Sequence, residues 1–280
     1  MFSDDFESGD FTAWTGILFD GDGVVTASDE DAYHGTYSMK CYAKNEGSHA
    51  RAYIQIPESE TAYSRFYFKL DYLPASEDTG IQLLAYTSSD DTLLLVVGVR
   101  YETASGGVCW WISYQGTDGW HHNYPATPTI AVDTWYCVNV GMHIGTSTGW
   151  LLVEIDDTTI FDQSGLNTNN KEINQVDFGI RIENYNLGQF VTVYEDSCVV
   201  DDAYIGPAIE YTLNLNVVGN GAVTLNYTGP YFYGDVVELT ADPDEDWTFT
   251  DWSGDLTGST NPEIIAIDGD KTITATFTQP

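Results

Sequence analysis

The stretch from Ser64 to Tyr72 reads SRFYFKLDY and decides the fold class of the chain. Phe66, Phe68 and Leu70 alternate with polar or amphipathic residues, which is the two-residue period of a half-buried β-strand. One face of such a strand packs into a core, and the other faces a groove or solvent. Burying the three apolar side chains contributes about 1.5 to 3 kcal/mol each, so we expect this strand to be needed for folding.

Strand patterns of this kind recur through the first 207 residues, and no helical period of useful length interrupts them. Clusters of Gly, Asp, Ser, Thr and Pro separate the strands. This arrangement is typical of an all-β, antiparallel jelly-roll sandwich. The predicted strands are 36–43, 50–56, 64–72, 81–87, 92–101, 108–115, 135–143, 150–155, 176–183 and 191–204.

A second all-β pattern fills residues 211–280, where four short alternating strands lie between glycine, asparagine and proline residues. Asn220-Gly221 is a hairpin turn signal. The length of 280 residues also favours two domains, which we predict at 1–207 and 211–280. The join at 206–210 holds one proline and no flexible Gly/Ser run, so we expect a restricted angle between the domains. The expected core of the second domain is Trp247, Phe249, Trp252 and Phe277.

Short motifs follow one another through the second domain. They are Gly219-Asn220-Gly221, Tyr233-Gly234-Asp235, Leu239-Thr240-Ala241, Trp252-Ser253-Gly254-Asp255, Asn261-Pro262 and Thr274-Ala275-Thr276-Phe277. In these motifs the segment closely resembles the divergent internalin B-type B-repeat family of bacterial and archaeal surface proteins. The resemblance covers the whole segment and implies an extracellular spacer, not a catalyst.

The charge balance is strongly acidic, with 43 Asp and Glu against nine Lys and Arg, and a formal net charge of -34. Such a surface repels nucleic acid and anionic lipid, so we expect neither as a partner, and it attracts divalent cations. Acidity can equally serve solubility alone. Neither a long apolar run nor a charged-then-apolar leader is present, so we expect no membrane insertion and no signal peptide in this sequence.

A second set of motifs spans most of the first 207 residues. They are FSDDFESGDFTAWTG at 2–16, HGTYSMK at 34–40, YSRFYFKL at 63–70, DTWYCVNV at 133–140 and VVDDAYIGP at 199–207. Together they resemble the concanavalin A-like, laminin-G-like family. The resemblance implies two curved antiparallel sheets and a superfamily of lectins, carbohydrate-binding modules, glucanases and polysaccharide lyases. Because this fold hosts many chemistries, the resemblance indicates the fold more strongly than the function.

The four cysteines all lie in predicted strands of the first domain. An even count fits two disulfides in an oxidising compartment, although four cysteines permit three connectivities. The concanavalin A-like resemblance places the strand after the opening motif beside the last strand of the domain. It thereby implies the pairs Cys41–Cys198 and Cys109–Cys137, and the alternative is four free buried thiols.

The same resemblance implies a structural calcium site at one edge of the sandwich. Carboxylate oxygens are the ligands that Ca²⁺ prefers. Glu7 and Asp202 match the family pattern best, and Asp5 is a further ligand. The alternative is that these acids cap turns or face solvent.

Aromatic residues are concentrated between residues 110 and 124. Sugars present flat C–H faces that stack on aromatic rings, and their hydroxyls need amide, carboxylate or guanidinium partners. Because side chains alternate along a strand, Trp110 and Tyr114 share a face and Trp111 takes the opposite one, so only one tryptophan can line a groove. The predicted glycan-binding residues are Arg65, Gln82, Arg100, Trp110, Tyr114 and Trp120. The alternative is that most of these rings are core.

An enzyme is the less favoured interpretation. Glucanases of this superfamily carry paired carboxylates on one strand, and Glu154 and Asp156 lack the further acid partner, since Thr158 stands in its place. Lyases of the fold use Gln, His, Tyr and Arg. Gln82 is not followed by the histidine of their Gln-x-His pair, and so acidic a chain suits anionic polysaccharides poorly.

The sequence therefore predicts a secreted or cell-surface adhesion protein, whose first domain binds a polysaccharide or cell-surface glycan and whose second domain is a spacer. One alternative is a structural subunit of an extracellular filament or sheath, in which exposed strand edges pair with other copies of the chain. The other is a polysaccharide lyase or glycoside hydrolase.

Overall fold

The computed structural model describes residues 2–45, 47–183, 190–205, 210–226, 228–229, 231–232 and 234–279. The chain divides into two compact units, one formed by Met1–Tyr33 and Tyr37–Pro207 and the other by His34–Thr36 and Ala208–Pro280. Most of the join predicted to be stiff, 206–209, lies outside the described residues.

Fifteen strands and one short 3₁₀ helix (Thr103–Ser105) build the first unit within the described residues. The strands are β1 (Phe2–Asp4), β2 (Gly16–Asp20), β3 (Val24–Ser28), β4 (Ser38–Ala43), β5 (His49–Ser59), β6 (Thr61–Leu70), β7 (Gly80–Thr87), β8 (Leu93–Glu102), β9 (Gly107–Gly116), β10 (Gly119–Asn123), β11 (Tyr136–His143), β12 (Gly149–Ile155), β13 (Thr158–Leu166), β14 (Ile173–Glu183) and β15 (Val191–Asp201).

These strands form two antiparallel sheets. The eight-stranded sheet has the order β13-β12-β11-β6-β15-β4-β3, with β1 also paired to β15. The seven-stranded sheet has the order β10-β9-β8-β7-β14-β5-β2. The predicted all-β sandwich is confirmed, and each of the ten predicted strands is present.

The core lies between the two sheets and follows the alternation of the strands. Phe66, Phe68 and Leu70 on β6 are buried, as the opening stretch predicts. The ring of Phe66 meets that of Phe178 on the opposite sheet edge-on, with centroids 5.5 Å apart. Phe68 meets Trp110 in the same way at 5.9 Å. Such edge-on pairs add to the free energy gained from burial alone.

The sequence did not reveal five strands, β1, β2, β3, β10 and β13. They are short or carry exposed, mostly polar residues, so the apolar alternation that marks a strand is weak in them. All five lie at the edge of a sheet or pair on one side only, where a strand needs less burial.

A carboxylate organises the opening motif. Asp4 accepts hydrogen bonds from the backbone N–H of Phe6 at 2.9 Å and from the indole Nε1–H of Trp14 at 2.5 Å. Phe6 has a φ of 61° and is fully buried, and its ring stacks on Trp14 with centroids 5.6 Å apart. The carboxylate therefore holds a left-handed turn that delivers two aromatic rings to the core.

Six strands build the second unit within the described residues. They are β16 (Leu213–Val218), β17 (Gly221–Leu225), β18 (Val236–Pro243), β19 (Thr248–Gly254), β20 (Glu263–Ala266) and β21 (Lys271–Thr278). They form two three-stranded sheets with the orders β16-β21-β19 and β17-β18-β20. The predicted Asn220-Gly221 hairpin is wrong, because β16 and β17 belong to different sheets and β16 pairs in parallel with β21.

The predicted core of the second unit is confirmed. Trp252 and Phe277 are buried, and Trp247 and Phe249 pack against them while partly exposed. The indole N–H of Trp252 donates to the carbonyl of Thr260 at 2.8 Å, which satisfies its buried polar atom.

The predicted disulfide pairs are wrong. Cys41 lies opposite Val193 in the pairing of β4 with β15, and Cys198 lies five residues further along β15. That separation is roughly 15 Å along the strand, whereas bridged cysteines have Cα atoms less than about 7 Å apart.

The second predicted pair fails for a different reason. Cys109 lies on β9 of the seven-stranded sheet and Cys137 on β11 of the eight-stranded sheet. Their strand neighbours Trp110 and Val138 point into the core, so the two thiols face away from each other. All four cysteines are buried free thiols, and burial raises the pKa of each thiol.

Free buried thiols give a direct chemical prediction. We expect the native protein to resist alkylation at all four cysteines and to take up four alkyl groups once unfolded, without any reducing agent. Adding a reductant should leave the thermal midpoint of unfolding unchanged. Intact-mass spectrometry before and after unfolding measures the count. An intact mass lower by two hydrogens than that of four free thiols would contradict the structure, and so would a thermal midpoint that falls when a reductant is added.

Asp4 gives a prediction about pH. Burial raises the pKa of this carboxyl to about 6, and the Phe6 and Trp14 hydrogen bonds only partly oppose the effect. Since the unfolded pKa is near 3.9, the folded state binds the proton more tightly, so the stabilisation is complete below pH ~4 and is lost as the pH rises through 6. The shift corresponds to about 3 kcal/mol.

We therefore expect the free energy of unfolding to fall between pH 4 and 6, and Asp4→Asn to flatten that slope while lowering stability overall. Urea unfolding across this pH range, with Asp10→Asn as the control at an exposed acid of the same motif, measures the slope. An unchanged slope in Asp4→Asn would contradict the assignment.

Candidate functional site

The outward face of the seven-stranded sheet carries the candidate site, and we call it the polar face. On β9, Trp110 and Ile112 point into the core, so Trp111 and Ser113 point outward. The pairing of β9 with β8 and β10 carries this alternation to the neighbouring strands. The polar face includes His49, Arg51, Tyr53, Gln82, Arg100, Trp111, Ser113, Trp120, His122, Asp177, Arg181 and Glu183.

Three aromatic rings form a row along the edge strand β10 and the residue that follows it. The rings of Trp120 and His122 lie 6.3 Å apart and are inclined by 11°, and those of His122 and Tyr124 lie 6.2 Å apart at 5°. Trp120 is 40% exposed. Residues two apart on a strand share a face, so the row presents parallel, partly exposed rings on one side of the sheet.

Trp111 lies deeper in the polar face than this row. It is only 7% exposed, and its indole ring lies over Gly80 on β7. A Cβ at position 80 would stand 3.0 Å from the ring, tighter than ordinary van der Waals contact. Gly80 therefore leaves room for the indole to lie close to the sheet.

A chain of hydrogen bonds links Trp111 to His122. The indole Nε1–H of Trp111 donates to Ser113 Oγ at 2.5 Å, and Ser113 Oγ lies 2.7 Å from Nδ1 of His122. An indole is only a donor, so the serine oxygen accepts from it, and the serine hydroxyl is free to donate to Nδ1 of a neutral imidazole. We predict this arrangement, in which the neutral His122 carries its hydrogen on Nε2.

The charge state of His122 follows from its surroundings. Burial lowers the pKa of this imidazole, and the positive charge of Arg100 and the neighbouring His121 lower it further. His122 is thus neutral at pH 7.

Every arginine of the polar face is paired with a carboxylate. Nε of Arg181 lies 2.9 Å from Glu183, although its N–H is not aligned for a hydrogen bond, so charge holds this pair. Nη1 of Arg51 lies 3.7 Å from Asp177. Arg100 contacts two carboxylates, those of Asp78 and Glu102.

Arg100 also orders the aromatic rings around it. Its guanidinium lies 5.8 Å from the ring centroid of Trp111 and 5.5 Å from that of Tyr124. Cation–π contacts at these distances hold the rings in place at one end of the polar face.

One buried acceptor on the polar face is unused. Gln82 is 1% exposed, and its Oε1 has no hydrogen-bond partner among the described residues. It lies opposite Arg181 in the sheet pairing. A buried amide oxygen without a donor costs free energy, so this position favours a donor from a ligand or from water.

A depression of about 300 Å³ opens on the polar face. This volume is at the lower end of the range for small-ligand sites. The lining residues are Leu93, Val96, Trp111, Ser113, Trp120, His122, Arg181 and Glu183.

The structure separates the predicted glycan-binding residues into two groups. Gln82, Arg100 and Trp120 lie on the polar face. Trp110 and Tyr114 belong to the core, so this part of the prediction is wrong. Arg65 is also misassigned, because it lies fully buried on β6 of the other sheet with its guanidinium 6.0 Å from the ring of Tyr67.

Sequence reasoning missed several members of the polar face, namely Trp111, Ser113, Arg181 and Glu183. A signal for Trp111 was present. Ser113 and Gln115 are polar and share its face, whereas Ile112 shares the face of Trp110. The polar pair marks the outward side of β9.

The predicted calcium ligands do not converge. The pairing of Phe2 with Val200 and of Asp4 with Cys198 runs antiparallel, so Asp202 lies beyond one end of β1 and Asp5 beyond the other. They are roughly 15 Å apart along the strands, whereas calcium ligands surround one ion at about 2.3 to 2.6 Å.

Glu7, the remaining predicted ligand, is engaged with the protein: it accepts a hydrogen bond from the N–H of Tyr37 at 2.7 Å. Within the described residues, the three carboxylates close enough to share an ion are Glu77, Asp78 and Glu102. They surround Arg100 and Thr103, which they already bind.

Comparison with known proteins finds a matching family model for the second unit and solved structures with a similar fold for the first. Residues 211–280 match the family model described as the divergent InlB B-repeat domain, so that resemblance is confirmed for the second unit. No curated protein matches the chain by sequence.

Solved structures resemble the chain in fold. One is an endo-β-1,4-glucuronan lyase from the fungus Trichoderma reesei, with a TM-score of 0.59 and 14% identity, covering 73% of this chain and 96% of that one. Another is the cellulose induced protein Cip1, with a TM-score of 0.54 and 19% identity, covering 74% and 99%. A third is a variant of the alginate lyase Aly36B with bound alginate trisaccharide, with a TM-score of 0.51 and 13% identity, covering 72% and 98%. At these identities the likeness shows the fold alone.

The hydrogen-bond chain can be tested by NMR. We expect nitrogen chemical shifts to show His122 as the Nε2–H tautomer, with a pKa below that of a free histidine. In Ser113→Ala the pKa should stay low, because burial is its main cause, but the tautomer preference should weaken. His121→Gln is the control for a change beside His122 that leaves the chain intact. A native Nδ1–H tautomer would contradict the direction of the bonds.

Proposed function

We propose that the protein binds glycans on the polar face and that its second unit is a spacer of a secreted or cell-surface protein. The observation that carries this proposal is the row of parallel rings at Trp120, His122 and Tyr124, beside amide and guanidinium groups on an open sheet.

The chemistry of a sugar fits this surface. The C–H face of a pyranose ring is apolar and stacks on an aromatic ring, while its hydroxyls donate and accept hydrogen bonds. Trp120 offers the exposed ring. Gln82 Oε1 offers an unused acceptor, and in the predicted tautomer Nε2–H of His122 offers a donor.

The same groups favour binding over catalysis. A lyase needs a base that removes a proton beside a carboxylate and a group that neutralises that carboxylate. In the tautomer predicted above, Nδ1 of His122 accepts from Ser113 and Nε2 carries the hydrogen, so neither nitrogen is a free base. The arginines are already paired with carboxylates.

A polysaccharide lyase is the second candidate. Arg100, His122 and Tyr124 are residue types that lyases use, and they lie together at one end of the polar face. Two of the solved structures with this fold are lyases. Tyr124 would have to act as the base, although burial raises the pKa of its hydroxyl.

The cellular setting is also part of the proposal. The B-repeat match of the second unit supports a place at the surface of a microbial cell, where a glycan-binding unit serves adhesion. Among the residues that the structure describes, there is no helix of the length and apolarity that a membrane span needs.

Removing a single exposed ring should weaken binding without unfolding the protein. For Trp120→Ala we expect about tenfold weaker glycan binding, since a stacked ring contributes roughly 1.4 kcal/mol. A glycan array identifies a ligand, and isothermal titration calorimetry measures its affinity. Phe190→Ala is the control, because it removes another exposed aromatic ring away from the polar face.

Two outcomes would contradict the proposal. Equal losses in Trp120→Ala and Phe190→Ala would place binding elsewhere. Release of unsaturated oligosaccharides from a polyuronate, abolished in Tyr124→Phe, would establish the lyase instead.

A further inference from the structure

We propose that the polar face selects neutral glycans and rejects polyuronates and sulfated glycans. This inference rests on the proposed glycan binding and names the class of ligand. It follows from where the charges of the chain lie, because each arginine of the polar face already has a carboxylate partner.

Arg181 is the decisive residue. Its side chain is 38% exposed, the highest value among the arginines of this face, and it lines the depression. A carboxylate on a sugar would therefore meet Arg181 first. Glu183 lies 2.9 Å from its Nε and lines the same depression, so an incoming anion would be repelled by the acid that already holds the cation.

The other two arginines are covered in the same way. Arg51 is mostly buried beside Asp177, which is also held by Gln175 at 3.0 Å. Arg100 is mostly buried and has both Asp78 and Glu102 as partners. Three guanidinium groups thus meet four carboxylates, and the polar face carries no excess of positive charge.

Among the described residues of the polar face, no other group supplies the missing charge. None of the seven strands of this sheet contains a lysine. Trp111, Ser113 and Gln82 are neutral. The remaining chain is strongly acidic, with a formal net charge of -34, so its field opposes the approach of a polyanion.

A neutral sugar avoids both penalties. A hydroxyl can donate to the carboxylate of a pair and accept from the guanidinium without displacing either partner. A uronate has to displace a carboxylate or remain unpaired in a partly buried site, and both cost free energy.

The test uses two polymers with the same β-1,4-linked backbone, cellulose-derived oligosaccharides and glucuronan oligosaccharides, which differ in the CH₂OH or carboxylate at C6. They accompany a panel of other neutral and acidic glycans at low and at high salt. We expect binding only to neutral members, with an affinity that salt leaves unchanged, because no ion pair forms with the ligand.

A variant converts the selectivity. Glu183→Gln removes the partner of Arg181 with little change in volume, so we expect at least about tenfold stronger binding of acidic glycans, reversed by salt. Glu238→Gln, at an exposed acid of the second unit, makes the same change in net charge and should bind as the native protein does.

The outcomes separate the two proposals. Salt-sensitive binding of acidic glycans by the native protein would overturn the selectivity and leave glycan binding standing. An equal gain in both glutamate variants would also overturn it, since total charge and not the Arg181 pair would then decide. Failure of the native protein and of Glu183→Gln to bind any glycan would overturn glycan binding itself, and the selectivity with it.

Discussion

The alternation of side chains along a β-strand is the constraint on which the rest of the structure depends. In a two-sheet sandwich each strand gives one set of residues to the core and the other set to the outside. On β9 this rule sends Trp110 and Ile112 inward and Trp111 and Ser113 outward. The inner set stabilises the fold by burial, which leaves the outer set free to be polar. The polar face exists because the core needs only half of each strand.

The same constraint explains what the sequence could predict. Alternation is a local property, so ten strands and the all-β class were readable from residue patterns. It was harder to predict which of the two alternating sets of side chains points into the core. On β9 each set contains a tryptophan, and only the polar Ser113 and Gln115 distinguish the outward set. Trp110 was therefore assigned to the groove when Trp111 occupies it, and Arg65 was placed on the wrong sheet because a strand pattern does not say which sheet it joins.

Properties that depend on register were not readable at all. Register joins residues far apart in sequence, and a shift of a few residues moves a side chain by more than the length of any bond or ligand contact. Cys41 and Cys198 lie on paired strands, as the family resemblance implies, yet the register separates them along β15. Asp5 and Asp202 are separated in the same way. In the second unit, Asn220-Gly221 has the composition of a hairpin turn, but β16 pairs with the distant β21 because that pairing buries Ile273 and Phe277.

The net charge of the whole chain is a poor guide to the charged groups on one of its surfaces. The chain carries four arginines, and three of them lie on one face of one sheet. The acidic composition argued against an anionic ligand, and the structure shows that the basic groups of this face are paired with carboxylates. Pairing partly buried guanidinium groups with carboxylates gives little net stability, because desolvation offsets the attraction. Such pairs do fix the direction of their donors and acceptors, and a surface of fixed hydrogen-bonding groups without excess positive charge suits a ligand that is itself polar and uncharged. Because the fold shared with lyases does not by itself decide the chemistry of the site, we propose that the carboxylate partners of Arg51, Arg100 and Arg181 decide it.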